Sequence, residues 1–152
     1  MGINMTPIET RLKEIAVQIA LRLYDEGKIA AFELANAQWV LNDARTMRDA
    51  VVSEALRADI GSPAQETARQ AEKDLAEATV ALGKLEVIRD YGIHAKMRAF
   101  EYVPMLDKRG YTCPECWVKE QLDVTMESNS QDALGKELAC PSCSLVCTFS
   151  LL

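Results

Sequence analysis

YTCPECWVKEQLDVTMESNSQDALGKELACPSCSLVCTFSLL, residues 111–152, holds all five cysteines of the chain, at Cys113, Cys116, Cys140, Cys143 and Cys147. Four of them form two Cys-Pro-x-Cys pairs separated by 23 residues. Two residues between cysteines allow a tight turn to aim both sulfurs at one ion while backbone N–H groups donate to the thiolates. Two such turns complete the closed tetrahedral four-sulfur set that structural zinc prefers. Cys113, Cys116, Cys140 and Cys143 are therefore the expected ligands of a single zinc ion. Iron suits the same four thiolates, and spacing does not separate the two metals. An odd number of cysteines and an N-terminus without the order of a secretion signal argue against disulfides. No βαβ pattern accompanies the Cys-x-x-Cys pairs, as a dithiol redox motif would require. Cys147 reads as a small apolar residue on a closing strand.

The spacer is expected to form a β-excursion. Trp117, Val118, Leu122, Val124 and Met126 lead to a turn near residues 128–130, Leu138 leads back, and Leu145–Leu151 closes the unit as a strand. Forty-two residues bury too little apolar surface to fold alone, so a metal would supply much of the stability.

Working back toward the N-terminus, the chain reads as helix. Thr6-Pro7-Ile8-Glu9 has the form of a capping box, with proline at the first helical position. Ile8, Leu12, Ile15 and Ile19 follow at helical spacing, and Gly27 is placed to stop a first helix covering 7–26. A second helix is expected from residue 30, with Val40, Ala44, Met47, Val51 and Ala55 on its buried face and Phe32, Trp39 and Leu56 beside it. Gly61-Ser62-Pro63 breaks it and opens a third, whose seam is Ala71, Leu75, Ala78, Leu82 and Leu85. Gly92 is a candidate end for this helix, leaving His94–Tyr102 as a separate short one, and Pro104 closes the helical region. The alternating Ala and Leu layers suit close helix pairing, within the chain or across a homodimer. The expected class is α+β: a helical bundle or hairpin of three long helices over 1–107, and a small β zinc ribbon over 108–152.

Charge narrows the function. Residues 1–110 carry 15 Lys/Arg against 17 Asp/Glu, whereas residues 111–152 carry two against six. An acidic tail is poorly suited to gripping phosphate, which disfavours direct binding of nucleic acid. No apolar run approaches the ~20 residues that span a bilayer. MGINMT matches the loose myristoylation pattern, but a single acyl chain holds a protein only marginally. The expectation is a cytoplasmic protein. Four cysteines leave zinc no open position for a substrate, the sole histidine, His94, has no partner motif, and the glycines form no phosphate-binding loop. Enzymatic activity is not expected.

Residues 111–152 resemble a C4 zinc ribbon with two rubredoxin-type knuckles on successive β-hairpins. Such ribbons usually carry glycine directly after each knuckle, where this chain has Trp117 and Ser144. A helical hairpin followed by a four-cysteine finger is also similar in layout to the DksA/TraR regulators, which insert a helical tip into RNA polymerase. That resemblance implies a tip acid at Asp59, although the two-aspartate motif of those proteins is absent, their cysteine spacer is shorter, and their second knuckle leads into a helix. The expected function is a zinc-binding adaptor or regulator docking on a larger protein machine that handles nucleic acid, with Trp117 and Tyr111 as aromatic anchors. The alternative is an acidic inhibitor, of the anti-CRISPR kind, competing for a basic groove. Added salt separates them, because competition for a basic groove weakens steeply with ionic strength.

Overall fold

The computed structural model describes residues 6–128 and 135–150. It is an α+β protein: α1 (Pro7–Ala55), α2 (Pro63–Arg109), α3 (Pro114–Glu120), then β1 (Glu127–Ser128), β2 (Gly135–Ala139) and β3 (Val146–Ser150). The strands form one antiparallel sheet in the order β1-β2-β3. Among the described residues, no helix is long and apolar enough to cross a membrane.

The capping box forms as the sequence predicts. The Thr6 N–H donates to Glu9 Oε2 at 3.1 Å and the Glu9 N–H donates to Thr6 Oγ1 at 3.2 Å, so two N-terminal donors are satisfied reciprocally. At the start of α2 the Gln65 N–H donates to Ser62 Oγ, with Gly61 at a φ of 79° completing the turn.

The helix ends differ from the sequence expectation at three places. Gly27 does not stop α1, and Gly92 and Pro104 lie inside α2, so two long helices stand where three were expected. Both glycines serve close approach. A Cβ on Gly27 would lie 3.2 Å from the carbonyl oxygen of Arg89, and one on Gly92 would lie 2.5 Å from that of Leu23. Pro104 is exposed and forgoes one intrahelical N–H near the helix end, and Gly110, at a φ of 82°, follows the last helical residue.

Two compact units are distinguished, Gly27–Asp90 and Met1–Glu26 with Tyr91–Leu152. In the first, α1 and α2 run antiparallel along a narrow seam. Ala30, Leu34, Ala37, Leu41, Ala44, Arg48, Val51 and Ala55 are buried or half-buried on α1, as are Ala68, Ala71, Leu75, Ala78, Leu82 and Leu85 on α2. Both sets step by three and four residues, the period of a left-handed pair. The α2 seam is the one the sequence predicts. On α1 the expectation is only partly met: Val40, Met47, Phe32, Trp39 and Leu56 are exposed. Helices that approach closely admit alanine between them and turn the bulky side chains outward.

In the second unit, the ends of the two long helices and the ribbon share one core. Ile8, Leu12, Ala16, Ala20 and Leu23 of α1 and Ala95, Tyr102 and Leu106 of α2 belong to it. Cys113, Cys116, Val118, Met126, Leu138, Cys140 and Cys147 are their ribbon counterparts. Lys96 Nζ stands 4.3 Å above the Tyr24 ring in the same unit.

Candidate metal centre

The first cysteine pair is carried by a helix start rather than by a strand. Cys113 is the N-cap of α3, Pro114 occupies the first turn, and Glu115 and Lys119 complement the two ends of the helix dipole. Cys113 and Cys116 therefore project from one helical turn. This corrects the expected β-excursion, because Trp117 and Val118 are helical. It also explains why no glycine follows the first pair: the chain continues as helix and reverses only at Gln121, at a φ of 57°. There the Leu122 N–H donates to the Cys116 carbonyl at 3.1 Å. The second pair keeps the turn expected of a knuckle. Ser144 takes the left-handed conformation, at a φ of 66°, where ribbons usually place glycine, and its N–H donates to the Cys140 carbonyl at 3.2 Å.

Backbone pairing brings the two turns together. The Cys113 N–H donates to Val124 O at 2.7 Å, the Met126 N–H to Tyr111 O at 2.8 Å, and the Cys140 N–H to Leu145 O at 2.8 Å. β3 returns beside β2 with Cys147 opposite Leu138, and both are buried. The expected turn at 129–130 lies outside the described residues.

The result is one group of four sulfurs, Cys113, Cys116, Cys140 and Cys143, all within 4.8 Å of one another. Cys113 Sγ lies 3.5 Å from Cys143 Sγ, and Cys116 Sγ lies 3.6 Å from Cys140 Sγ. A tetrahedron with ~2.3 Å metal–sulfur bonds has edges of about 3.8 Å, so the four residues can hold one metal ion. Cys147 is outside the group and buried. His94 is exposed in the middle of α2, away from any helix end.

Electrostatics agree with that donor set. Burial pushes the thiols of Cys113 and Cys116 upward, Cys116 to about 12. For Cys140 burial acts in the same direction, but the N–H groups of Cys143 and Ser142, which point at its sulfur from 3.5 and 3.4 Å, hold it down at about 7. Sulfurs this close give up their protons together only when a cation shares their charge.

Around the sulfurs stands a supporting layer that sequence reading misses. The Arg98 guanidinium of α2 donates to the carbonyls of Val118 and Lys119 at the C-terminal end of α3, at 3.2 and 2.8 Å. In return the Trp117 indole N–H donates to Arg98 O at 2.8 Å. The fully buried Tyr102 donates its hydroxyl to Thr112 O at 2.5 Å, beside Cys113. Thr112 Oγ1 donates to Asp123 Oδ1 at 3.0 Å. Nothing local in the sequence marks these three residues, because their partners lie 10 to 21 positions away. Tyr102→Phe strands a buried carbonyl, and we expect it to cost about 1–3 kcal/mol in chemical denaturation, read as a lower midpoint at unchanged metal content.

Trp117 and Tyr111 are half-buried against the core of their own unit. Asp59 is exposed in the α1–α2 turn, where its carbonyl accepts the Ser62 N–H at 3.1 Å.

No protein-family model, no curated protein and no solved structure matches this chain. The likeness of layout to the DksA/TraR regulators accordingly has no match behind it.

Proposed function

We propose that this is a non-enzymatic zinc protein in which a closed four-cysteine ion ties a ribbon to the ends of two long helices, leaving the helical hairpin to dock on a protein partner. The observation that carries the reading is the sulfur group itself. Four cysteines from two turns stand close enough to fill the corners of a tetrahedral site, and three of them, Cys113, Cys116 and Cys140, lie within the core that the helix ends complete. Such a site stabilises a fold and offers no coordination position for a reactant. Zinc is the expected metal, because structural zinc prefers a closed set of four thiolates.

The docking surface is assigned to the hairpin turn rather than to the ribbon aromatics. Leu56 and Ile60 are almost fully exposed there, beside Asp59. Two bare aliphatic side chains next to a carboxylate form an anchor-and-rim arrangement that suits an apolar pocket edged by basic residues. A larger, nucleic-acid-handling protein machine is the expected partner. Affinity capture from native cells tests this with the full chain and with Ile60→Asp. A protein recovered by the wild type, and reduced at least tenfold by the substitution, is expected. Recovery that is unaffected by Ile60→Asp but abolished by moderate salt would contradict tip docking and favour the acidic-inhibitor reading.

A further inference from the structure

The α1–α2 seam within Gly27–Asp90 is filled by Ala and Leu from the same chain, yet α1 carries a second apolar stripe on its outer side. Ile29, Phe32, Trp39, Val40 and Met47 are exposed by 62, 86, 77, 52 and 57%. They advance along the helix by three, seven, one and seven residues, with Asn36 completing the three-and-four spacing between Phe32 and Trp39 or Val40. That spacing keeps them on one side of a helix, as in a second coiled-coil seam.

We infer that this stripe is the interface of a homodimer, in which α1 of one copy packs antiparallel on α1 of the other to make a four-helix assembly from two hairpins. Area argues for an interface of this size. Large aromatic side chains present about 150–250 Å² each when free. At the exposures above, the five residues offer roughly 650 Å² per copy, hence about 1,300 Å² for a pair, inside the ~1,200–2,000 Å² of specific interfaces.

The stripe is also self-complementary, which a two-fold interface requires. Phe32 lies seven residues before Trp39, and Met47 seven residues after Val40. Two antiparallel copies with their axis between Trp39 and Val40 therefore place Phe32 of each helix at the level of Met47 of the other, and Trp39 at the level of Val40. Asn36 of each copy falls at the level of Asp43 of the other, where its amide can donate to the carboxylate. A polar pair in an otherwise apolar seam fixes register.

The dimer is tested by sedimentation equilibrium of the full chain at about 50 μM, above the micromolar Kd of the weakest specific interfaces of this size, with a thiol reductant present. A mass twice the 16.9 kDa of one chain is expected. The double variant Phe32→Glu/Trp39→Glu should sediment as a single chain with undiminished helical circular dichroism, because both side chains are exposed in the isolated fold. Trp39→Phe, which keeps the apolar contact, should remain dimeric. A single-chain mass for the wild type overturns the inference and leaves the stripe to a partner of different sequence. A double variant that stays dimeric overturns it by moving the interface elsewhere.

Discussion

Cys140→Ser is expected to abolish stoichiometric metal binding and to unfold the ribbon while the hairpin of Gly27–Asp90 stays helical. Serine is isosteric with cysteine but binds zinc far more weakly, because its hydroxyl does not ionise near neutral pH. Apparent structural zinc binding in small domains is worth about 10–16 kcal/mol, so losing one of four ligands removes several kcal/mol on that scale. The ribbon has little to offset this. Among the described residues its buried apolar side chains are Pro114, Val118, Met126 and Leu138 together with Cys113, Cys116, Cys140 and Cys147, less than a segment of this length needs. Cys140 is the informative position because it is the sulfur most disposed to ionise, with two N–H groups aimed at it. Amide resonances of residues 111–128 and 135–150 should collapse toward unfolded positions. The ends of α1 and α2 should lose hydrogen-exchange protection, since Leu12, Tyr102 and Leu106 share the ribbon's core. Protection at Ala71 and Ala78 should persist, because that seam contains no ribbon residue. The same physics sets the pH dependence. Metal-bound thiolates are held ionised, so the stabilisation they provide is present near neutrality and is lost as pH falls and protons compete for sulfur.

Substituting Gly92 is expected to have the second-largest effect, and substituting Gly83 in the same helix the opposite sign. In an open helix, Gly→Ala gains about 1 kcal/mol from backbone entropy. At Gly83 a Cβ meets nothing within 4 Å, so Gly83→Ala should stabilise by up to ~1 kcal/mol. At Gly92 the added methyl would stand 2.5 Å from Leu23 O and 3.1 Å from both Leu23 C and Tyr24 Cα. All three are backbone atoms of α1, and no rotamer change moves them. The helices must separate, at a cost of about 3 kcal/mol, the upper range for overpacking. For a chain of this size each kcal/mol moves Tm by roughly 2–4 °C, so thermal unfolding should fall by about 10 °C in Gly92→Ala and rise slightly in Gly83→Ala. Equal responses at the two positions would show that close approach is not the role of Gly92.

These glycines also show what a sequence discloses. The capping box at Thr6 and Glu9 and the break at Gly61-Ser62-Pro63 are legible because each is satisfied within four residues. The four clustered cysteines are legible because the geometry of a metal site constrains their spacing. Gly27 and Gly92 are ambiguous: a helix cap and a close helix crossing use the same residue, and only the element across from it decides between them. The seam of α1 is misread for a related reason. Phe32, Trp39 and Val40 outweigh alanine on any scale of hydrophobicity, yet closely spaced helices select for small side chains. The helix at Pro114–Glu120 did leave a signal, in Pro114 at its first position, Glu115 in its first turn and Lys119 in its last. The β-forming character of Trp117 and Val118 obscured it. Arg98, Tyr102 and Thr112 left none, because what they contact is determined by tertiary structure.

The account turns on a closed four-sulfur zinc site. X-ray absorption at the zinc edge of the purified full chain measures that directly. The predicted spectrum is a single shell of four sulfur scatterers at ~2.3 Å, with one zinc per chain and no oxygen or nitrogen shell. A mixed shell with a water oxygen, or a chain that holds no zinc while residues 111–150 remain folded, would contradict it.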